Sequence, residues 1–235
     1  MVLKKIFQVK NDIKDKKFYK KIILLGFMEF NIRLNSYIKK GNEVLIKRGG
    51  NLFPYKNKKG LTLICKGKGN RIVIEEPIEF SGCFISLSGN ENTVEIKKSE
   101  HILFNFSVYA DSNSKLNVGG NFSCASVDIS LRHSKGVKIG EDCMCSDGVM
   151  ILANDGHPIV DAQTGEVLNE GGTIEIGNHV WLGRKSIICK NTKIADNSIV
   201  GTRAVVTKEF NEENVALAGI PAKIVKQNIN WKREF

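Results

Sequence analysis

From Ile176 onward, apolar side chains recur at a single interval. Ile176, Leu182, Ile188, Ile194, Val200 and Val206 stand six residues apart without a break. Four residues after each of the first five come Val180, Ser186, Thr192, Ser198 and Ala204, all small or β-branched. One residue after come Gly177, Gly183, Cys189, Ala195 and Gly201, also small. The same spacing appears upstream in Ile139-Gly140, Cys145-Ser146 and Ile151. A period of six matches neither the α-helix nor the two-faced strand. It predicts a triangular solenoid of short parallel strands, in which one aliphatic side chain per face points inward and small residues sit near the corners. Three faces make one coil of about 18 residues.

A slower repetition runs through the earlier sequence. Ile72-Val73-Ile74, Val94-Glu95-Ile96, Leu116-Asn117-Val118, Val137-Lys138-Ile139 and Ile174-Glu175-Ile176 end 22, 22, 21 and 37 residues apart. Asn and Gly flank several of them, as in Gly69-Asn70 and Gly89-Asn90, which suits turns at positive φ. The step of 37 is one coil of about 18 residues plus roughly 19 more. That insertion falls between Ile151 and Ile174. A long loop inside a regular solenoid is more often functional than idle.

These patterns divide the chain into a basic N-terminal segment over 1–60 leading into the first coil, a parallel β-helix over 61–210 with a loop insertion at about 152–173, and a closing segment over 211–235. Within the closing segment, Pro221 to Gln227 reads as a strand or short helix. Within 14–40, Phe18, Ile22, Ile23, Leu24, Leu25, Phe30 and Leu34 fall partly at helical spacing and predict one basic helix, with Gly26 counting against it.

The 235 residues are 42% hydrophobic and 26% charged, enough for a large core and unlike collagen, mucin or a disordered polymer. The net charge of +10 invites a nucleic-acid or anionic-membrane reading. Its distribution changes that reading. Residues 1–60 carry 16 Lys and Arg against four acids, whereas residues 61–235 carry 19 against 21. The repeat region is therefore close to neutral. The basic segment has no zinc pattern and no RRM-like aromatic box, so no nucleic-acid partner is expected. It is expected to touch an acidic polysaccharide or the anionic inner membrane surface, or to be simply a solvated charged face.

The longest apolar run near the start, Ile22 to Met28, is far short of the roughly 20 residues of a spanning helix, and the N-terminus lacks signal-peptide form. The six cysteines, Cys65, Cys83, Cys124, Cys143, Cys145 and Cys189, form no CxxC pair. Reduced, buried thiols and a cytoplasmic location, peripheral at the inner membrane, are the expectation.

The run from Ile176 to Val206, followed by Thr207-Lys208 and by Ala218-Gly219-Ile220-Pro221-Ala222-Lys223, resembles the hexapeptide-repeat acyltransferases. The segment Asn154-Asp155-Gly156-His157-Pro158-Ile159, with Trp181 following 24 residues after His157, resembles their capsule, lipopolysaccharide and sialic-acid O-acetyltransferase branch. The resemblance covers about residues 137–230. It implies an all-β fold, a left-handed parallel β-helix with an extended catalytic loop. Handedness comes from the resemblance alone, since left-handed crossovers break the common rule.

The resemblance also implies an acetyl-CoA-dependent O-acetyltransferase acting on a bacterial surface carbohydrate such as a capsular polysaccharide, O-antigen or sialic acid. His157 is the implied general base. A sugar hydroxyl is a poor nucleophile at neutral pH, and an imidazole near its ordinary pKa can take its proton during attack on a thioester. Asp155 is a candidate to orient the ring, with Asp161 an alternative. Backbone N–H from the neighbouring coil would hold the oxyanion. Trp181 is implied to line the acceptor or pantetheine pocket, where an aromatic face suits a sugar ring. For the acetyl-CoA co-substrate the candidates are Asp155, Gly156, Trp181, Arg184, Gly201, Thr202, Lys208 and Lys223, with Arg203 behind them; Lys208 and Lys223 would meet the phosphates. A homotrimer with active sites between subunits is the implied assembly. No metal is expected.

Three other readings compete. A nucleotide-sugar N-acetyltransferase or antibiotic acetyltransferase of the same fold would use the same base. A zinc enzyme of this fold needs three converging histidines, and no HxxxxH pair is present. A non-catalytic scaffold would have no need of the insertion.

Overall fold

The computed structural model describes residues 36–234 and the short strands Ile22–Leu24 and Met28–Phe30. From Tyr37 on, the chain winds as a parallel β-solenoid whose three faces are eight-stranded sheets. The first face stacks Glu43–Arg48, Arg71–Glu75, Thr93–Ile96, Lys115–Val118, Gly136–Ile139, Thr173–Ile176 and Thr192–Ile194, with Asn51–Pro54 added antiparallel at its start. The second runs from Glu79–Ser81 through Ser123–Cys124, Met144–Cys145, Trp181–Leu182 and Ile199–Val200 to Ala216–Gly219. The third runs from Tyr37–Ile38 through Cys83–Leu87, Val127–Leu131 and Val149–Leu152 to Ile187–Cys189 and Val205–Val206.

The six-residue pattern accounts for this winding. Ile176, Leu182, Ile188, Ile194, Val200 and Val206 are all buried, each on a different face from the one before. The intervening Val180, Ser186, Thr192, Ser198 and Ala204 are buried at the corners or strand starts. Between them, His179, Lys185, Asn191, Asn197 and Arg203 all take φ between 52° and 58°. One left-handed residue per corner is what turns an extended strand through the angle of the triangle. A Cβ on Gly177 would stand 2.2 Å from the Asp196 carboxylate and 2.8 Å from its backbone nitrogen, so the small residue there is required by the next coil.

The slower period is also register. Ile74, Ile96, Val118, Ile139, Ile176 and Ile194 are paired in turn across the first face. The early coils are longer, and one of their corners holds a polar ladder. Asn70 Nδ2 donates to Asn42 Oδ1 and Asn92 Nδ2 to Asn70 Oδ1, each at 2.8 Å, and the Ser114 N–H closes the run on Asn92. Asn70 and Asn92 are almost wholly buried, so each amide must find its partner in the adjacent coil.

Five cysteines are buried and Cys189 is half-buried, all of them free. Burial pushes the thiols of Cys65 and Cys143 up to about 12, so they pack as small apolar groups.

Two expectations change, and one open alternative resolves. Coil pairing begins before residue 61, because Tyr37–Ile38 pairs with Ile64 and Cys65, and Val44 and Ile46 pair with Ile72 and Ile74. The surrounding Lys and Gly hid this inward alternation. Within the helix expected over 14–40, the described pieces are strands: Ile22–Leu24 pairs antiparallel with Met28–Phe30, and Tyr37–Ile38 is a strand of the coil. β-branched Ile22 and Ile23 favour that state, and a mid-helix Gly26 would cost about 1 kcal/mol. Residues 1–21, 25–27 and 31–35 lie outside the described residues. Within Pro221 to Gln227, Ala222–Lys226 is a strand that turns back antiparallel on Ala216–Gly219 and covers the end of the second face. No helix among the described residues is long and apolar enough to cross a membrane.

Candidate active site on the inserted loop

The insertion leaves the third face after Leu152 and rejoins the first face at Thr173. Its neck is tied to the coil below. The Gly172 N–H donates to Ala153 O at 3.0 Å, and the Lys135 N–H donates to Gly172 O at 3.1 Å. Gly171 lies so close to the preceding coil that a Cβ would stand 1.5 Å from the His133 carbonyl oxygen. The Gly171-Gly172 pair is thus a condition of closing the neck.

Further out, the tip is a small hairpin. Val160 bridges Val167, and the Asp161 carboxylate accepts the N–H groups of Gln163 and Thr164 at 2.8 and 2.7 Å. Those bonds, Thr164 first, hold the Asp161 carboxyl below its ordinary range. Asp161 therefore builds the turn, and among the described residues no hydrogen bond joins it to His157.

Between neck and tip lies the braced segment that carries His157. Asn154 Nδ2 donates to Ser130 Oγ at 2.9 Å, and its Oδ1 accepts the Gly156 N–H at 2.8 Å. Asn169 Nδ2 donates both to Asp155 Oδ2 and to the His157 carbonyl, at 2.8 and 2.9 Å, while Asn169 Oδ1 accepts the Ile159 N–H. Lys190, one coil later, reaches back with its Nζ 2.6 Å from Asp155 Oδ2 and also donates to the carbonyls of Asn169 and Glu170. Lys190 and then Asn169 hold the Asp155 carboxyl below its ordinary range. A depressed carboxyl contributes above its unfolded pKa and is lost as pH falls through the folded value, so this brace persists at neutral pH and fails only in acid.

A cavity of about 450 Å³ opens between the loop and the preceding coil, lined by His157, Pro158, Asp155 and Asn169 on one side and by His133, Ser134 and Lys135 on the other. His157 is exposed at it. Among the described residues no hydrogen bond links the His157 ring to Asp155. That carboxylate is engaged by Lys190 and Asn169, so its contribution is to the loop's shape.

The remaining candidates fall into two groups. Lys208 follows Val206 by two residues, as Lys190 follows its register partner Ile188, which places it on the corner that carries the loop. Its ammonium lies 5.4 Å from the Phe210 ring centre. Trp181 lies on the second face, opposite that corner, where its Nε1 donates to Ser146 Oγ at 3.0 Å. Arg184, Gly201 and Thr202 lie at the corner between the second and third faces, with Arg184 3.3 Å from Asp147. Lys223 is exposed on the strand capping the second face. One chain therefore does not bring Trp181 or Lys223 to the His157 cavity. Among the described residues no group of three His, Cys, Asp or Glu is gathered as a metal site.

Sequence reasoning missed Asn169, Lys190, His133 and Lys135. They stand at corner and loop positions, which the apolar period leaves unspecified. Lys190→Ala removes three donations to the loop at once. It is expected to lower kcat/KM about fivefold, on the scale of about 1 kcal/mol for a part-exposed ion pair. Limited proteolysis should cut faster between 155 and 170, with the coil intact.

Comparison with known proteins gives these findings. The family model described as bacterial transferase hexapeptide (six repeats) matches residues 173–208. A polysialic acid O-acetyltransferase of Neisseria meningitidis is 36% identical over 176 residues, which cover 74% of this chain and 80% of that protein. The crystal structure of the polysialic acid-specific acetyltransferase NeuO superposes with a TM-score of 0.69 at 30% identity, covering 83% of this chain and 86% of its own. That of the polysialic acid O-acetyltransferase OatWY superposes at 0.64 and 36% identity, covering 74% and 82%.

Proposed function

Because the chain belongs to the hexapeptide-repeat O-acetyltransferases, the family of the polysialic acid O-acetyltransferases, we propose that it moves an acetyl group from acetyl-CoA to a hydroxyl of a sialic acid polymer. The observation that carries the reading is the His157 cavity, built by the insertion that interrupts the coil between Leu152 and Thr173. His157 takes the proton of the acceptor hydroxyl as its oxygen attacks the thioester carbonyl carbon. The C–O bond forms, the C–S bond breaks, and the imidazolium returns the proton to the departing thiolate. His133 and Lys135 on the facing wall suit an acceptor that bears a carboxylate on every sugar unit.

Several features support a homotrimer with sites between subunits. The outward positions of the later coils are apolar on two faces, Met144, Trp181 and Ile199 on the second and Met150, Ile187 and Val205 on the third. The first face carries Lys138, Glu175 and Lys193 instead. Ile159, Val160, Val167 and Leu168 on the loop tip are 49–61% exposed and find cover on a neighbouring copy. In that assembly the loop group of one subunit and the second-face group of the next share one site. Trp181 stacks on the acceptor sugar. Gly201 and Thr202 leave room for the pantetheine arm, and Arg184, Arg203, Lys208 and Lys223 supply charge for its phosphates.

Coenzyme A release is expected with polysialic acid and not with amino-sugar nucleotides, in a protein whose sedimentation gives three times the 26.1 kDa chain mass. Release with amine acceptors alone would favour the N-acetyltransferase reading. A monomer with full activity would remove the shared site.

A further inference from the structure

The last residues do not trail from the coil but run back along it. After Lys226 the chain descends the corner between the first and second faces, where Asn214, Asn197, His179, Asp142 and Asn121 stack as left-handed residues with φ of 52–59°. The tail donates to the carbonyls of Asn214, His179, Asp142 and Asn121. The Ile229 N–H donates to Asn214 O at 2.9 Å, and Trp231 Nε1 donates to His179 O at 2.8 Å. Arg233 Nη2 donates to the carbonyls of Asp142 and Asn121, at 3.3 and 3.1 Å.

Side chains close the circuit. Arg233 Nε and Nη2 both donate to Asp142 Oδ1, at 3.1 and 3.0 Å, and Nη1 donates to Ser123 Oγ at 2.7 Å. Asp142 Oδ2 is 2.6 Å from His179 Nδ1. The His179 ring lies flat on the Trp231 indole, with centroids 4.2 Å apart and planes at 9°. Trp231 is 5% exposed, and its ring centre is 6.2 Å from that of Trp181.

The placement of this strap matters for the site. Asp142 belongs to the coil before the insertion, and His179 to the coil after it. Trp181 follows His179 by two residues. The strap therefore ties together the two coils that the loop interrupts, and it backs the indole proposed above to receive the acceptor.

We propose that the C-terminal strap is a positioning element for acceptor binding, in which Arg233 anchors the tail and Trp231 fixes the pose of Trp181. This rests on the reading of Trp181 as the acceptor platform. Trp231 and Arg233 act through Trp181 and touch no reacting atom.

Trp181 and Trp231 are the chain's two tryptophans, so fluorescence reads the strap directly. In a Trp181→Phe background, Arg233→Ala is expected to shift Trp231 emission to the red and to increase its quenching by acrylamide. With Trp181 restored, Arg233→Ala and truncation after Asn228 are each expected to raise the acceptor KM about tenfold, while the acetyl-CoA KM stays within about twofold. Arg233→Lys keeps the charge but not the fork, and is expected to fall between. Release of Trp231 with the acceptor KM unchanged overturns the proposal. So does a parallel rise in both KM values, and so does a Trp231 that stays shielded in Arg233→Ala. Trp181→Ala separates the premise: if that variant binds acceptor normally, the platform reading itself fails, whatever the strap variants do.

Discussion

Replacing His157 with Ala or Asn is expected to lower kcat about a thousandfold while leaving the fold unchanged. Positioned general acid–base groups contribute about 10²- to 10⁴-fold. His157 is the imidazole carried by the inserted loop, and it is exposed at the cavity. The loop holds it by backbone, through the His157 carbonyl on Asn169, and among the described residues the variant loses no side-chain hydrogen bond. Thermal unfolding and acetyl-CoA affinity should therefore match those of the parent. Product analysis under single-turnover conditions is the appropriate measurement, because it reads the chemical step and not release.

The second large effect belongs to a residue with no chemistry. Gly171→Ala places a methyl group 1.5 Å from the His133 carbonyl oxygen and 2.5 Å from its carbon, both backbone atoms. Neither can yield without moving the coil that forms the cavity's far wall. The neck should open, costing about 1–3 kcal/mol of stability as overpacking does. The loop moves with it, and a displacement of about 1 Å at the reacting groups can cost about a hundredfold in rate. Gly165→Ala, at the hairpin tip, is the control. Its φ of 72° carries a conformational cost, but the added Cβ meets nothing within 4 Å. Activity should fall in the first variant and stay nearly unchanged in the second.

Much of this architecture is legible in the sequence because one physical demand repeats. Every face must bury one aliphatic side chain, and so Ile176 to Val206 announce the coil at a fixed interval. The insertion is legible as a break in that interval, and its residues 153–172 fall where the step of 37 places them. The early coil is less legible. Val44 and Ile46 sit among lysines and glycines, and the Asn42–Asn70–Asn92 ladder replaces apolar cover with amide pairing at uneven steps of 28 and 22 residues. Of the cavity lining, Asp155, Gly156 and His157 are legible in the inserted segment, whereas Trp181 stands on the second face, away from it. Lys190 and Asn169 brace the loop from positions that carry no periodic constraint, and Asp155 looks from sequence like a partner for His157 when its carboxylate is turned to Lys190. The tail reads from sequence as a closing segment, but its descent from Asn214 to Asn121 follows from the stacked carbonyls of left-handed corner residues. No pattern in the sequence signals those carbonyls.

In the proposed reaction His157 drives acetyl transfer to a hydroxyl of polysialic acid. The most direct test incubates the full chain with isotope-labelled acetyl-CoA and sialic acid oligomers, then reads the oligomers by mass spectrometry beside a His157→Ala control. Labelled O-acetyl groups, removed by mild base and absent with the variant, are the predicted result. Equal labelling by the variant, or label found only on an amine acceptor, would rule that reaction out.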